Sequence, residues 1–494
     1  MKASLTSKNL SVRLRGLSLR PESLLVPGAL VVAALAGTAI AQGGNRATIA
    51  MAGGVAIVGI TFIGALVRTR ARWDFAAVEL PALFILLSEL VLRQRDAEAL
   101  SSNPLDAAGL YRLGCIGLAG LLGALALTTP DIDVRKPITT RPFRLYCLYV
   151  FVVFVGVPLS VNLPLTAYRG AELLVCLLVT AGAFRRADRE AARRILTLVY
   201  WFTAASAIAI WLAAVLAPGS AFLPVDSPFP VQLHGIFPAV SANGTGTVGA
   251  VLGLWSLAKL LSPPDRGKIT TRILLFLTLL GFTTLIFAQY RTGYIAAVVG
   301  LVVLLWFRSR AKVFWVIMAA LIATITWGGQ ILHAVEPVVQ RGATAEVVSG
   351  LSGRLTYWEG ALQVWHESPL LGQGLLTASR FEVLAKMGSV YTSSIHGTWV
   401  EALVGTGLIG LALLASAFLI TMSRAVREAR RLGGLVVPLL LLGLFAVRSI
   451  TGPTFEVAGS DALVLMTLAL LFKDQPLVRG RKELQLDLPE RATR

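Results

Sequence analysis

Histidine, cysteine and charged side chains are all scarce in this sequence. Its 494 residues include four histidines and three cysteines, and only 15% are Asp, Glu, Lys or Arg. Cys115, Cys147 and Cys176 each lie within or at the end of an apolar stretch, which is not the pattern of a disulfide framework or a zinc site. We therefore expect no disulfide, no metal site and no cofactor.

Signatures of nucleotide-driven chemistry are also missing from the sequence. No G-x-x-x-x-G-K-[ST] loop occurs, so an ATP-driven pump has no support. The single D-x-D, Asp131-Ile-Asp133, lies in a short connection with no nucleotide-binding domain around it, and we interpret it as chance. The formal net charge of +18 raises the question of a nucleic-acid partner, which the distribution of that charge answers.

Long apolar runs are the main feature of the chain, which is 55% hydrophobic. The runs are about 16–23 residues long, enough for a helix to cross a hydrocarbon core of about 30 Å. Because period-two alternation is absent, these runs predict helices, and the fold class is an all-α polytopic transmembrane bundle of about 12–14 spans. The candidate spans are 25–41, 47–67, 75–92, 110–128, 144–161, 165–184, 195–217, 245–261, 272–289, 292–307, 313–329, 397–421, 432–447 and 459–472.

Basic residues are concentrated in every second connection between these spans, beginning with the N-terminal tail. This distribution follows the positive-inside rule and places both termini in the cytoplasm, so the charge indicates orientation and not nucleic-acid binding. The short connections between are poor in Lys and Arg, apart from Arg93 and Arg95. The basic connections carry Arg68, Arg70 and Arg72; Arg135, Lys136, Arg141 and Arg144; Arg185, Arg186, Arg189, Arg193 and Arg194; Arg266, Lys268 and Arg272; Arg308, Arg310 and Lys312; and Arg424, Arg427, Arg430 and Arg431.

The first apolar run has two interpretations. Its end, Ala39-Ile40-Ala41, resembles a signal-peptide cleavage site, whereas the long basic leader and the many later spans favour an uncleaved helix. On the second interpretation, residues 1–24 are a cytoplasmic basic tail, 25–217 a first group of transmembrane helices and 473–494 a cytoplasmic C-terminal tail.

Two long segments, 218–244 and 330–396, are predicted to lie outside. In the second, Leu355, Trp358, Leu362 and Trp365 recur at the spacing of an amphipathic helix, whose apolar face would lie on the membrane surface or over the mouth of the bundle. Proline and glycine then end the helix within residues 367–374. Loops this long are usually functional.

Several charged residues are placed where a membrane makes them costly. An arginine at membrane depth usually has a partner or a task, and its planar guanidinium suits phosphate oxygens. Converging arginines at the external face therefore predict a site for a lipid-linked phosphate or diphosphate, and a neutral histidine beside them suits a base that accepts a hydroxyl proton. The residues that we expect to converge are Arg169, Arg291, Arg354, Arg448 and His396.

Four of these residues, all except Arg354, also have a simpler explanation. Arg169 is three residues from Glu172 and the two side chains would pair on one helix face. Arg291 would extend to lipid headgroups, and Arg448 would be an ordinary interfacial arginine. His396, taken alone, is equally typical of a structural histidine with satisfied hydrogen bonds. The position of each residue by itself therefore decides nothing.

Residues 230–415 contain four short motifs in order. His234-Gly235 is followed by Asn243, and Arg291 lies at the start of a predicted span with Ile295 four positions later. Residues 353–374, which include Arg354, contain the predicted external helix and turn, and His396 is followed by Gly407 and Gly410 at the start of another span. Together these motifs resemble the O-antigen ligase and polysaccharide polymerase superfamily of bacterial membrane proteins, although Gly397 stands where that family usually has Asn, Ser or Gln.

The resemblance implies that residues 218–472 form an O-antigen-ligase-like core with the external loop 330–396. It implies a metal- and ATP-independent inverting glycosyltransferase of the bacterial inner membrane, whose active site faces outward and whose donor glycan is carried on undecaprenyl diphosphate. Arg291 and Arg169 would hold the diphosphate and His396 would orient or deprotonate the acceptor hydroxyl. Arg354, His234, Asn243 and Arg448 would complete the site, and Gly407 and Gly410 would let a neighbouring helix approach closely.

The sequence leaves the reaction and the acceptor open. Ligation to a lipid acceptor and polymerisation onto another lipid-linked chain use the same kind of donor. A second class is a transporter or flippase of lipid-linked oligosaccharides, and a third is a structural membrane protein without chemistry, which leaves the long external loop unexplained. Transporters usually place charges near the bilayer midplane on broken helices and often have inverted repeats, whereas here the charges lie toward the outer face and no repeat is evident.

Overall fold

The structure is a computed structural model that describes most of the chain from residue 70 to residue 472. The described ranges are 70–90, 107–128, 140–225, 229–261, 269–308, 354–386, 395–432 and 436–472, with the single residues 318, 326 and 330. Both predicted tails, the first two predicted spans, the Ala39-Ile40-Ala41 stretch, the D-x-D and nearly all of the predicted span 313–329 lie outside the described residues.

Helices make up nearly all of the described chain. The longer helices are α1 (Arg70–Ser88), α2 (Ala107–Thr128), α3 (Arg141–Val155), α4 (Leu163–Leu216), α5 (Ala242–Leu261), α6 (Thr271–Ala288), α7 (Arg291–Arg308), α8 (Arg354–Glu367), α9 (Thr398–Leu432), α10 (Val436–Thr451) and α11 (Ser460–Leu471). Short helical turns occur at Val157–Leu159, Pro218–Ala221, Ser379–Val383 and Leu384–Lys386. Strands β1 (Phe222–Pro224) and β2 (Val231–Leu233) form an antiparallel hairpin that pairs Phe222 with Leu233.

The predicted fold class is confirmed. Within the described residues, α2, α4, α5, α6 and α9 are long and apolar enough to cross a membrane, and α1, α7, α10 and α11 contain shorter apolar helices. Large apolar side chains point outward along these helices, among them Leu121 of α2, Phe151 of α3 and Leu279 of α6. Such an apolar exterior is stable in lipid but not in water, so the chain is an all-α, multi-pass membrane protein.

The predicted spans 165–184 and 195–217 appear as one helical run, α4, broken at Asp188. That residue has φ +46°, outside the helical region, so the run consists of two helices that meet at a kink. At 1.5 Å per residue the whole run would be about 80 Å long, more than twice the thickness of the hydrocarbon core. The connection is helical on both sides of Asp188 because its Arg, Ala and Glu residues are good helix formers.

Other helix ends differ from the prediction by a few residues. Helix α3 was expected to reach residue 161 but ends at Val155, because Gly156 and Pro158 change the backbone to a short 3₁₀ turn. Helix α9 was expected to end at residue 421 but continues to Leu432, since its basic segment is still a good helix-forming sequence.

The connections that the charge pattern predicts to be external meet at one end of the bundle, which we name the site end. It is formed by residues 156–162, 217–241, 289–290, 395–397 and 452–459. The hairpin covers the end of α6, because Gln232 Nε2 donates a hydrogen bond to the Ala288 carbonyl at 2.9 Å. Gln289 Nε2 in turn donates to the carbonyls of Phe229 and Val231. These bonds hold the hairpin over the end of α6, where the last carbonyls of the helix would otherwise lack hydrogen-bond donors.

Candidate functional site

His396 lies in a tight turn immediately before α9. Its backbone has φ +55°, in the left-handed region that few residues other than glycine adopt. The preceding residue, Ile395, is held on both sides: its N–H donates to Glu401 Oε1 at 3.0 Å and its carbonyl accepts from Trp358 Nε1 at 3.1 Å. The imidazole is half-buried at the site end.

Arg354 is the charged neighbour of His396. It begins helix α8, and Trp358 one turn later donates its bond to the His396 turn, so the two residues are held close together. Burial, and secondly the positive charge of Arg354, lower the pKa of His396 below its usual range. The imidazole is therefore neutral at neutral pH and able to accept a proton.

Tyr290 joins Arg354 to Arg448. It interacts electrostatically with Arg354 and lies within hydrogen-bonding reach of Arg448 at the end of α10. Arg448 also forms an ion pair with Asp461 (Nη1 to Oδ2, 2.5 Å) and donates from Nη2 to the Pro453 carbonyl at 3.4 Å. Arg448 is thus a partly buried, paired side chain and not a residue extended to the interface.

The position of Tyr290 depends on small residues around it. A Cβ atom added at Gly246 of α5 would lie 2.3 Å from the Tyr290 Cβ, so α5 approaches this closely only because residue 246 is glycine. Arg291 directly follows Tyr290 and begins α7. The next residue, Thr292, is hydrogen-bonded to Thr451 Oγ1 at 2.9 Å, which fixes the start of α7 beside the end of α10 that carries Arg448.

Arg169 forms the ion pair with Glu172 that its spacing predicted. Glu172 Oε2 accepts from Arg169 Nη1 at 2.7 Å, and Glu172 Oε1 accepts from Arg112 Nε of α2 at 2.7 Å. The Glu172 side chain is only 1% exposed, so one buried carboxylate serves two arginines. Its single negative charge leaves the three-residue group net positive.

Glu89 connects this group to the residues around Arg448. Its Oε1 accepts from the Ser460 N–H at 2.7 Å and from Ser460 Oγ at 3.1 Å. It interacts electrostatically with both Asp461 and Arg112. Among the described residues, the site end brings together five arginines (Arg112, Arg169, Arg291, Arg354 and Arg448) and five carboxyl groups (Glu89, Glu172, Glu401, Glu456 and Asp461), and the guanidinium groups are suited to binding an anion.

The structure places His234 and Asn243 near the same end of the bundle but outside this network. His234 follows β2; its Nε2 is 3.4 Å from Gln232 Oε1, and burial lowers its pKa. Asn243 is exposed on the first turn of α5. Among the described residues, neither side chain is bonded to one of the five arginines.

Gly407 has the close contact that was predicted, but its partner differs from the predicted one. Helix α9 is broken at Gly407, where φ is +65°, and a Cβ atom there would lie 2.1 Å from the carbonyl carbon of Leu370. The approaching backbone therefore belongs to the turn at residues 369–374 and not to a neighbouring helix. At Gly410 the nearest atom is Thr406 Oγ1 of the same helix, at 2.0 Å from the added Cβ.

The turn at residues 369–374 forms hydrogen bonds with the backbone groups that the break in α9 leaves unpaired. Four bonds join the two segments: Gln373 N to Val404 O (3.0 Å), Gly374 N to Gly405 O (3.0 Å), Leu408 N to Pro369 O (2.9 Å) and Ile409 N to Leu370 O (3.3 Å). A broken helix is tolerated at membrane depth when its free polar groups find such partners. The predicted external segment thus forms part of the bundle itself.

Helix α8 exists as predicted, and the structure shows which of its residues pack inside the protein. Ala361 and Val364 are buried against residues 378–384 and the start of α9. Leu355 and Leu362 remain 42% and 44% exposed, because α8 packs through its small residues and turns these leucines away from the protein. The position of these leucines on the membrane surface, one of the two predicted alternatives, stays a prediction.

Tyr290, Arg112, Glu89 and Asp461 are the members of the network that the sequence analysis missed. Glu89 and Asp461 carried a usable signal, because an acidic residue inside a predicted span needs a buried cation or a hydrogen-bond donor. Tyr290 carried none, since its role depends on chain segments that are far apart in the sequence.

The region that contains His396 matches a known protein family. Residues 276–415 match the family model described as O-Antigen ligase, and no curated protein matches the chain. The matched region runs from α6 into α9 and includes Tyr290, Arg291, Arg354 and His396. Residues 276–415 are therefore similar to O-antigen ligases, which supports a membrane ligase or polymerase acting in surface polysaccharide biosynthesis.

Proposed function

We propose that this protein transfers a glycan from undecaprenyl diphosphate to an acceptor hydroxyl at the outer face of the bacterial cytoplasmic membrane. The observation that carries the proposal is the neutral His396 beside Arg354, within a network of arginines at one end of the bundle. The positive-inside pattern supports cytoplasmic termini and an outward-facing site.

The arginines are the proposed holders of the donor diphosphate. A guanidinium group can donate hydrogen bonds to two phosphate oxygens at once, and it keeps its positive charge at every physiological pH. Arg291 and Arg354 are the proposed primary contacts, with Arg448 held behind them by Asp461. Arg169 shares its charge with Glu172 and would act at the edge of the site. Positive charge fixed in this way stabilises the diphosphate as it leaves.

His396 is the proposed base in a single displacement. The acceptor oxygen forms a bond to the anomeric carbon as the bond from that carbon to the diphosphate oxygen breaks. The hydroxyl proton passes to His396, and undecaprenyl diphosphate leaves with the bonding electron pair. Attack opposite the leaving group inverts the anomeric centre. The arginines supply the positive charge that a divalent metal supplies in other phosphate-binding sites, so the proposed reaction uses neither metal nor nucleotide.

The proposal is tested with purified protein in lipid and an undecaprenyl-diphosphate oligosaccharide as the donor. A ladder of longer lipid-linked chains from the donor alone identifies a polymerase, and product formed only with a second acceptor identifies a ligase. Movement of the intact donor across the bilayer without a new glycosidic bond would instead identify a flippase and overturn the proposal.

Donor binding is expected to depend on Arg291. Replacing it in Arg291→Gln removes a charge-assisted contact to phosphate and should weaken donor binding roughly 10- to 100-fold, measured by titration of labelled donor. The matched control is Arg193→Gln, which removes a 70% exposed arginine paired with Glu190 and should bind donor normally. Equal binding by the two variants would contradict the proposed role of Arg291.

The pH dependence of transfer should report the contact between Arg354 and His396. Because burial and the positive charge of Arg354 lower the pKa of His396, transfer in the native protein should be lost only at pH values below the usual range for histidine. In Arg354→Gln the pKa of His396 should rise. The acid limb of the pH profile of kcat/KM should therefore move to higher pH. Lys386→Gln, which removes an exposed charge paired with Glu367 and Glu382, is the control and should leave the limb in place. An unchanged limb in Arg354→Gln would show that the charge does not act on the base.

A further inference from the structure

Glu401 contacts the His396 turn through both its side chain and its backbone. From the first turn of α9 its Oε1 accepts from the Ile395 N–H at 3.0 Å, and its own N–H donates to the Gly397 carbonyl at 2.8 Å. Glu401 is fully buried. It is therefore bonded to the residue before His396 and to the residue after it.

The His396 turn needs this support, because a left-handed backbone is unfavourable for a residue with a side chain. Such a conformation persists only where the surrounding structure holds it. The bonds of Glu401 and Trp358 to Ile395 are the contacts that hold it here.

A second buried carboxyl group, that of Glu456, lies behind the same turn. It belongs to the connection between α10 and α11, and its Oε2 accepts from the Thr454 N–H at 3.1 Å. Its Oε1 is buried without a hydrogen-bond partner among the described residues. Thr398 at the start of α9 fixes this connection through bonds to the Gly452 carbonyl (3.0 Å) and to Thr454 Oγ1 (2.8 Å).

The groups that face Glu456 disfavour a second negative charge. Glu401 faces it from α9, and Tyr146 and Tyr149 face it from α3. Burial, and to a smaller extent the like charge of Glu401, raise the pKa of Glu456 to about 8, against the opposing hydrogen bonds from Thr454 and Thr398. One of two neighbouring buried carboxyl groups commonly keeps its proton for this reason.

We propose that Glu401 is a positioning residue for His396, and that Glu456 stays protonated at neutral pH so that the two buried carboxyl groups lie together behind the His396 turn. Loss of the Glu456 proton would place two negative charges in one buried site and loosen the turn. The consequence for transfer rests on the proposed function, whereas the support of the turn is a property of the folded chain and is tested without any substrate.

The proton on Glu456 is tested by infrared spectroscopy of the full-length protein in lipid across a pH series. The spectrum of the native protein minus that of Glu456→Gln should contain a protonated-carboxyl C=O band at neutral pH, and this band should disappear around pH 8. Glu367→Gln, which alters an exposed carboxylate of α8, is the control and should keep the band. A neutral-pH spectrum of Glu456→Gln identical to that of the native protein overturns the assignment.

The support of the turn is tested by the rate at which diethyl pyrocarbonate modifies His396, relative to the exposed His366 in the same molecule. Glu401→Leu should raise the ratio several-fold, whereas Glu401→Gln, whose amide oxygen still accepts from the Ile395 N–H, should keep the native ratio. In the native protein the ratio of His396 to His366 modification should also rise above pH 8. In Glu456→Gln the ratio should not change with pH in this range. This pH comparison remains decisive if Glu401→Leu does not fold.

Two results would overturn the positioning role: an unchanged ratio in folded Glu401→Leu, or the same pH dependence in native protein and Glu456→Gln. In the transfer assay Glu401→Gln should keep kcat near the native value, and Glu401→Leu should lower kcat with little change in donor binding. If no variant and no native sample transfers glycan, the proposed function fails while the spectroscopic and modification results still decide the inference.

Discussion

A His396→Asn protein is expected to lose glycan transfer by roughly 100- to 10,000-fold, the usual contribution of a positioned general base. Asparagine is the informative replacement, because it tolerates the left-handed backbone of residue 396 better than alanine does and cannot accept the proton. The loss should appear in kcat, measured as product formed per minute at saturating donor. Donor binding should change little, because the arginines that we assign to the diphosphate remain.

The control for this experiment is His366→Asn. It makes the same substitution at an exposed position of α8 and should retain native transfer. Substantial transfer by correctly folded His396→Asn would rule out His396 as the base. The arginines would then still be proposed to bind the donor, but no residue of the site would be assigned to proton transfer.

A Gly407→Ala protein is expected to be destabilised by roughly 3–5 kcal/mol or to fail to fold. An alanine at φ +65° costs about 1–2 kcal/mol, and its Cβ would overlap the Leu370 carbonyl carbon at 2.1 Å. Relieving the overlap means moving the turn at 369–374 and weakening four backbone hydrogen bonds, each worth about 1 kcal/mol. Thermal unfolding in detergent, followed by circular dichroism, measures the change.

The matched substitution is Gly443→Ala in α10, where no atom lies within 4 Å of the added Cβ. There alanine should be neutral or stabilising by up to about 1 kcal/mol, because it is a better helix former than glycine. The two substitutions add the same methyl group and are expected to act in opposite directions. Similar melting temperatures would mean that the break at Gly407 is not required for the fold.

The break in α9 also explains how residues 354–374 are held beside the candidate site. The turn at residues 369–374 is bonded into α9, and α8, which carries Arg354, directly precedes that turn. His396 begins the same α9. The proposed base and one proposed phosphate ligand are therefore attached to a single backbone-bonded unit, which limits how far they move apart.

Apolar runs and the distribution of basic residues were sufficient to predict an all-α membrane bundle, because a spanning helix must bury a fixed length of apolar chain whatever its neighbours are. The pairing of Arg169 with Glu172 was also visible, since a three-residue spacing brings two side chains together on any helix. Local rules of this kind depend only on nearby residues, and they placed Arg354, Arg448 and His396 at one end of the molecule.

The contacts that give this end its chemistry were decided by the tertiary structure. Arg112 joins Glu172 across 60 positions of sequence, and Ser460 joins Glu89 across 371. The turn that fills the break at Gly407 likewise comes from a separate segment, so the glycine spacing suggested a close approach without identifying what approaches. A buried polar group must find a partner, but its own neighbourhood in the sequence does not specify which one, because that choice depends on how distant helices pack.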